Sequence, residues 1–299
     1  MFLLNDRTKF SITFSFLFLL MLISVIASAQ YEDYSIPEDC KSRSGLEYGA
    51  TAGFYIPGNG SANFYSGKPG NENNIEYVFR NTYWYNEIYQ MLDANDKVIL
   101  SEYPENMKYN PAFIFGLFAK YDLNCHTGIY IQFTNAKLRA KDVFSVEVDP
   151  PIDYLAEPDI RLFPVYGTEE RNLADLGITY SPGNKRAARL MLGGGVSMNS
   201  TLVKESVVRI EGKVYDMVNK YSGSYIPGSG QMVYDIRQGG IGFGVFGTVG
   251  GRFEFSNAIA IEPGFTVYYK KISLESASGF YPQYVFFVRL CLRDLISFE

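Results

Sequence analysis

The C-terminal segment, residues 240–299, carries the pattern that decides the fold. Residues 241–255 are IGFGVFGTVGGRFEF, residues 259–270 are IAIEPGFTVYYK, and residues 284–298 are YVFFVRLCLRDLISF. In each segment, apolar side chains alternate with polar or small ones, so one parity is apolar and the other polar. Successive side chains of a β-strand point to opposite faces, whereas a helix repeats its apolar positions every three or four residues. The three segments are therefore predicted to be β-strands.

Five further segments alternate in the same way, which brings the predicted number of strands to eight. They are residues 46–56, 112–123, 129–148, 160–180 and 188–210. The segments reach the nine to eleven residues or so that a transmembrane β-strand needs. Short connections at residues 124–127, 181–186 and 255–258 alternate with longer ones at residues 57–110, 149–159, 211–236 and 275–283. An even number of tall strands with this alternation is typical of outer-membrane barrels, and the third and fourth strands are expected to project on the long-loop side.

The distribution of charge between the two parities predicts which face points into the barrel. The polar parity is rich in glycine and carries ionisable residues of both signs: Glu47, Lys120, Asp122, Asp175, Arg189, Arg252, Glu254, Glu262, Arg289 and Arg293. The opposite parity has almost no charge in its central part, where a charge facing lipid would cost roughly 2–4 kcal/mol. We therefore predict an all-β protein, an eight-stranded antiparallel up-and-down transmembrane β-barrel whose lumen is filled by a charge network. A soluble lipocalin-like carrier, with its apolar face inward, is the alternative.

The N-terminal residues predict export. Lys9 precedes a nearly continuous apolar run, and Ala27-Ser28-Ala29 forms a small-x-small cleavage site, so residues 1–29 are predicted to be a cleaved signal peptide. Residues 30–44 are polar and form a periplasmic leader, and residues 45–299 form the barrel. No later stretch reaches the roughly twenty apolar residues of a transmembrane helix.

The first long connection, residues 57–110, is predicted to be an extracellular loop with one helix near residues 82–94. Trp84, Ile88 and Met91 recur there at helical spacing. Two interpretations stay open, a helix that covers the barrel or a surface that binds a partner. The partner surface would consist of Trp84, Tyr85, Ile88 and Tyr89.

Three cysteines are an odd number for an oxidising compartment. Cys40 precedes the first strand and Cys125 lies in a turn, so both are expected at one end of the barrel. They form a disulfide or remain two unrelated thiols. Cys291 falls within a strand on the polar parity and is expected to be inert.

The sequence offers little support for catalysis, cofactors or nucleic acid. A net charge of −5 argues against nucleic acid, which requires a basic surface. Residues 242–247 match the pattern GxGxxG, but they lie inside a predicted strand that no helix follows, so no dinucleotide site is expected. His126, the only histidine in the sequence, lies in a short turn, which disfavours a hydrolase that uses histidine as a base. A barrel enzyme or a small-solute channel remains the alternative function.

Metal binding is not expected either. Cys125 and His126 are adjacent, and the sequence has no spaced second pair to complete a tetrahedral site. The acidic loop that contains Asp149, Asp153, Glu157 and Asp159 is interpreted as a solvated loop, with a calcium site as the alternative.

The export signal at Ala27-Ser28-Ala29, the eight strands and the near-terminal aromatic Phe298 together resemble a known group. The chain looks like the small outer-membrane β-barrel proteins of Gram-negative bacteria, in particular the OmpA/OmpX-like and PorT-like barrels of Bacteroidota. The resemblance covers residues 45–299 by pattern. Members of this group act as structural barrels, adhesins or accessories of protein secretion. It implies a chain in the outer membrane, surrounded by its lipid, that acts through extracellular loops as a binding, assembly or secretion-accessory component with another envelope or secretion protein.

Overall fold

The structure is a computed structural model that describes residues 45–124, 126–150, 157–182, 188–221, 225–256, 258–275 and 277–293. Its strands form one antiparallel sheet. They are β1 (Gly45–Ile56), β2 (Val98–Glu102), β3 (Lys108–Tyr109), β4 (Ala112–Asp122), β5 (Thr127–Val148), β6 (Asp159–Tyr180), β7 (Ala188–Ile210), β8 (Lys213–Asp216), β9 (Gly239–Glu254), β10 (Ile259–Ile272) and β11 (Gly279–Arg293). The predicted signal peptide, the leader and Cys125 lie outside the described residues, so the disulfide with Cys40 stays a prediction.

Eight of the strands close into a ring in the order β1, β4, β5, β6, β7, β9, β10 and β11. The ring is closed by β11, which pairs with β1 from Arg293 opposite Glu47 to Tyr284 opposite Ile56. Every neighbouring pair is antiparallel, which confirms the predicted up-and-down barrel. The three remaining strands are short additions that the sequence did not predict: β2 and β3 pair with β5, and β8 pairs with β7.

The two parities point as predicted, with apolar side chains outward and charged ones inward. Leu117, halfway along β4, is 68% exposed, and Phe133 on β5 is 55% exposed. On the inward parity, Glu47 has no exposed area and Arg252 is almost fully buried. A soluble carrier barrel would have the opposite arrangement. The orientation of the described strands therefore excludes the lipocalin-like alternative and fits a barrel surrounded by lipid.

Three strands are much longer than a membrane requires. β5 and β6 have 22 residues each and β7 has 23, and β5 pairs with β6 without interruption from Thr127 opposite Tyr180 to Val148 opposite Asp159. A transmembrane strand takes about nine to eleven residues. The far halves of these strands therefore project on the long-loop side, as predicted. We call this projecting part, with β2, β3, β8 and the helices described next, the head.

The first long connection contains the predicted helix near residues 82–94, and in addition a second α-helix and a 3-10 helix that the sequence did not predict. The 3-10 helix is Asn59–Ser66, α1 is Ile75–Arg80 and α2 is Thr82–Met91. The Asn81 side chain accepts hydrogen bonds from the backbone N–H groups of Tyr83 and Trp84, and so caps α2. With six residues, α1 is too short to show an apolar period. None of the helices within the described residues has the length and apolar character that crossing a membrane would take.

The head has an apolar core that continues the inside of the barrel. On the inward parity of β5, the lumen residues Gln132 and Thr134 are followed by buried Leu138, Phe144 and Val146. Buried side chains of α1 and α2 pack against this face. The pattern of apolar outward and polar inward side chains is lost in this part of β5. The outward side chains are charged here, and the inward ones are apolar because helices cover them.

Candidate functional site

Nine of the ten ionisable residues predicted for the lumen form one connected ion-pair network near the short-turn end of the barrel. We call it the lower network. Its members are Glu47, Lys120, Asp122, Arg189, Arg252, Glu254, Glu262, Arg289 and Arg293. They come from six strands, because inward side chains at the ends of β1, β4, β7, β9, β10 and β11 meet across the narrow lumen. The tenth residue, Asp175, lies higher in the barrel and takes part in another contact.

Arg252 is the centre of the lower network. Its guanidinium donates two hydrogen bonds to Glu47, at 2.5 and 2.8 Å, one to Glu262 at 2.6 Å and one to Glu254 at 3.0 Å. Lys120 Nζ also contacts the Glu47 carboxylate, at 2.9 Å from its Oε2. Charges removed from water are stable only when they are paired and hydrogen-bonded. The lower network therefore closes this end of the lumen with mutually dependent charges.

Aromatic rings fill the middle of the lumen. The Arg289 guanidinium lies over the rings of Phe287 and Tyr130, at 4.4 and 5.0 Å from their centroids. The Tyr268 hydroxyl donates to Asp175 at 2.7 Å, which is the contact that holds the tenth predicted residue. A Cβ at Gly177 would lie 2.8 Å from the Tyr130 ring. Glycine on the inward parity thus makes room for rings in a barrel of this width.

The 3-10 helix enters the mouth of the barrel at its long-loop end. We call its residues, Asn59–Ser66, the plug. Ala62, Phe64 and Tyr65 have no exposed area. A Cβ at Gly167 of β6 would lie 2.2 Å from the Tyr65 ring, so only glycine leaves space for this ring against the wall. The plug fills the mouth as tightly as the rings fill the middle.

Two charged residues of β6 hold the plug. Glu169 accepts hydrogen bonds from the hydroxyls of Tyr65 at 2.8 Å and Tyr109 at 2.9 Å, and from Arg171 Nε at 2.5 Å. Arg171 also donates to the Ser61 hydroxyl at 3.0 Å. Glu169 and Arg171 are both fully buried. The lumen is therefore closed by paired charges at both ends.

The sequence pattern did not predict Glu169, Arg171 or the plug. The first two lie in a stretch of β6 that is polar on both faces in places, and that we assigned to the projecting part. A signal was present, because both share the inward parity of Leu173 and Asp175. The plug has no strand or helix period, and its signal is the aromatic pair Phe64-Tyr65 within a stretch rich in Gly, Asn and Ser.

The residues predicted as a partner surface pack mainly against the head. Ile88 has no exposed area, so it is not available to a partner in this structure. Trp84 stacks on Tyr225 at 5.5 Å and meets the edge of Tyr215 at 5.8 Å. Tyr85 accepts a hydrogen bond from the backbone N–H of Val98 at 3.0 Å. This arrangement favours the interpretation of α2 as a cover over the barrel.

A connection between β8 and β9 exposes apolar side chains instead. We call residues 226–236 the apolar loop. Its exposed apolar residues are Ile226, Met232, Val233, Tyr234 and Ile236, of which Met232 is 71% exposed. The loop is held to the head because the Tyr234 backbone N–H donates to the Lys220 carbonyl at 2.8 Å, while Gln238 next to it donates to Asn73 at 2.6 Å.

The groups weighed for catalysis or metal binding have other contacts. His126 lies in the β4–β5 turn, with its ring 6.3 Å from that of Tyr180. Glu47, Glu262 and buried Cys291 place ligand atoms within 4.8 Å of one another, but both carboxylates already pair with Arg252. A metal ion there would have to displace the centre of the lower network.

The acidic loop has structural contacts at its two described ends. The Asp149 carboxylate accepts the backbone N–H groups of Asn95, Asp96 and Lys97 at 2.7–3.2 Å. The N–H groups of Asp96 and then Asn95 are the main causes that lower the pKa of Asp149. Asp159 pairs with Arg161 at 2.7 Å. These contacts favour the interpretation that the loop holds the α2–β2 turn, and not the alternative of a calcium site. Asp153 lies outside the described residues.

Comparisons with known proteins find only low similarity. No family model matches the sequence, and no curated protein is detectably similar to it. Among solved structures, the neisserial surface protein A is 10% identical with a TM-score of 0.42, covering 84% of this chain and 97% of that chain. The outer-membrane protein OprG of Pseudomonas aeruginosa is 11% identical with a TM-score of 0.37, covering 85% and 96%. Ail of Yersinia pestis, solved with the heparin analogue sucrose octasulfate, is 8% identical with a TM-score of 0.31, covering 83% and 98%.

The strand pairing of this chain establishes its fold independently of these similarities. An even ring of antiparallel strands, short turns at one end, long loops at the other and an apolar outer face define a barrel of the outer-membrane type.

Proposed function

We propose that this chain is an outer-membrane barrel that acts through its extracellular head as a binding or assembly component, and that it neither conducts solutes nor catalyses a reaction. The observation that carries the proposal is the closure of the lumen at both ends. Arg252 is bound by three carboxylates at one end, and Glu169 by two tyrosines and Arg171 at the other. A channel would need these buried charges to separate, which is costly.

The apolar loop is the binding surface that we propose for the head. Contiguous exposed apolar side chains outside the lipid-facing belt mark interaction sites. Met232 and Val233 are exposed, while the backbone beside them is fixed through Tyr234 and Gln238. The resemblance to PorT-like barrels makes a secretion or assembly protein of the envelope the kind of partner that we propose.

The test is site-specific photocrosslinking in intact cells. A crosslinking residue at Met232 is expected to give one discrete adduct, identified by mass spectrometry as an envelope protein. The matched control is the same residue at Lys68, which is exposed on the head beside Pro69 and Gly70, away from exposed large apolar side chains, where no adduct is expected. Equal adducts at both positions, or none at Met232, would contradict the proposed surface.

A second measurement tests the closed lumen. The purified protein should shift on a denaturing gel when it is boiled, as a closed barrel does, and should give no conductance steps in a planar bilayer. Conductance steps from the folded protein would contradict the proposal and favour the channel. Hydrolysis that depends on His126 would favour the barrel enzyme.

A further inference from the structure

We propose that the outer face of β5–β7, immediately above the lipid-facing belt, binds the phosphate groups of anionic lipid headgroups in the outer leaflet. Six cationic side chains lie on this face and on β3, which pairs with β5 beside it. We call them the basic band: Lys108, Lys137, Arg139, Lys141, Lys204 and Arg209.

The position of the band along β5 places it at headgroup level. The outward side chains of β5 are first apolar, at Ile129, Ile131 and Phe133. They are then Asn135, followed by exposed Lys137, Arg139 and Lys141. A transmembrane strand takes about nine to eleven residues, so a count from Thr127 ends at about residues 135–137. Lys137 therefore lies at the membrane surface, and the next two cations lie just above it.

The band has a large excess of positive charge. In the register of β5, β6 and β7, Lys137 lies opposite Glu170, and Arg139 lies opposite Thr168 and, beyond it, Glu205. The third carboxylate in these rows is Asp216 of β8, which lies opposite Val207 in the row of Lys141 and Tyr166 and pairs with Lys220. Glu170 is engaged with Lys204 at 3.2 Å, and Glu205 accepts the Thr168 hydroxyl at 2.9 Å. Six cations against three carboxylates leave a local charge of +3, on a chain whose net charge is −5.

The geometry fits phosphate groups attached to a lipid. Outward side chains two residues apart on a strand are about 6.8 Å apart, so the three cations of β5 span roughly 14 Å. Lys141 and Arg209 both lie over the Tyr166 ring, at 5.5 and 5.6 Å from its centroid, which fixes an aromatic ring at the edge of the membrane. Lysine and arginine are the side chains that bind phosphate. The apolar belt directly below would seat the acyl chains of the same lipid.

The outward cations at this level are concentrated on β5. At the same distance from the short turns, the outward positions are apolar on β4, at Phe113, and on β9, at Phe243, whereas β10 carries one outward cation, Lys271. A general attraction to the membrane surface would not need three cations in succession on one strand. Their concentration on β5 therefore favours a defined lipid site.

The test measures binding of diphosphoryl lipid A to the full chain in phosphatidylcholine nanodiscs. The variant carries Lys137→Gln, Arg139→Gln and Lys141→Gln. Each basic residue near an anionic surface contributes about five-fold to affinity, so the triple variant should bind on the order of 100-fold more weakly at low salt. A second variant, Lys137→Arg with Lys141→Arg, keeps the charge and should bind like the wild type.

The matched control removes three charges from exposed positions elsewhere on the head, by Lys68→Gln, Arg80→Gln and Lys97→Gln. It should leave binding unchanged. Equal weakening in the control would mean that net charge alone drives binding, and would overturn the proposal. So would a wild type without preference for lipid A over phosphatidylcholine, or one that binds inorganic phosphate as well as it binds the lipid. The shift on boiling verifies that each variant is folded before binding is compared.

Discussion

Replacing Arg252 with methionine should lower the free energy of unfolding by about 3–5 kcal/mol, the usual cost of removing one partner from a buried ion pair. Methionine keeps most of the volume and removes the charge. Glu47 would keep Lys120 and Arg293, and Glu254 would keep Arg189. Of the three carboxylates, Glu262 would keep the weakest compensation of its negative charge by the remaining cations.

The position of Glu262 makes the expected loss specific. It is 1% exposed, and its remaining cations, Arg289 and Lys120, are 3.7 and 3.8 Å away. Neutralising it by Glu262→Gln in the Arg252→Met background should therefore recover part of the loss. The coupling energy between the two substitutions is expected to be about 1–3 kcal/mol.

The assay is urea unfolding in detergent micelles, with the folded fraction read from unboiled samples on a denaturing gel. The control is Arg237→Met, which removes an exposed arginine of the β8–β9 connection that pairs only at the surface with Asp235. This control should change stability by less than about 0.5 kcal/mol. A loss below about 1 kcal/mol for Arg252→Met, or a further loss on adding Glu262→Gln, would refute the reasoning. Either result would mean that water in the lumen, and not the ion pairs, compensates the buried carboxylates.

Three other substitutions test separate parts of the molecule. Leu117→Arg places a charge at the middle of the lipid-facing side of β4 and should cost about 2–4 kcal/mol in the same urea series, with Leu117→Ile near neutral. Gly177→Ala puts a Cβ 2.8 Å from the Tyr130 ring and should cost about 1–3 kcal/mol, measured likewise. Because the pKa of Asp149 is lowered in the folded head, its stabilising effect is present above the unfolded pKa near 4 and is lost as the pH falls through the folded value. Asparagine tolerates the positive φ of 47° at this position. Asp149→Asn should therefore remove the contribution of Asp149 to the change in Trp84 fluorescence that is measured as the pH is lowered.

The barrel was predictable because its signal is local and repeated. A period of two identifies each strand, and the glycine and charge content of one parity identifies the lumen. The network residues Glu47, Lys120 and Arg252 are far apart in sequence, yet closure of the ring alone brings their parity together. Which carboxylate pairs with which cation depends on register and barrel shear, and the pattern does not contain that information.

The head was not predictable in the same way, because tertiary contacts determine it. α1 is stabilised by burial of Ile75 and Val78 against the projecting sheet, which a short stretch of sequence does not reveal. The loss of the lipid-facing apolar pattern on β5 beyond residue 136 correctly predicted that the strand projects beyond the membrane. It could not predict the second apolar core, because that core depends on the helices that cover the inward face.

Because β5 and β6 run unbroken from the short turns to the top of the head, head and barrel share the same strands. A partner that pulls on the top of the head along these strands loads many backbone hydrogen bonds at once in shear against β4 and β7. Such a ladder resists more force than one that is opened a single pair at a time. Within the described strands the head continues directly into the wall of the barrel, so the pull passes to the membrane-embedded ring. Tension or torque applied to the head is therefore transmitted to the whole barrel.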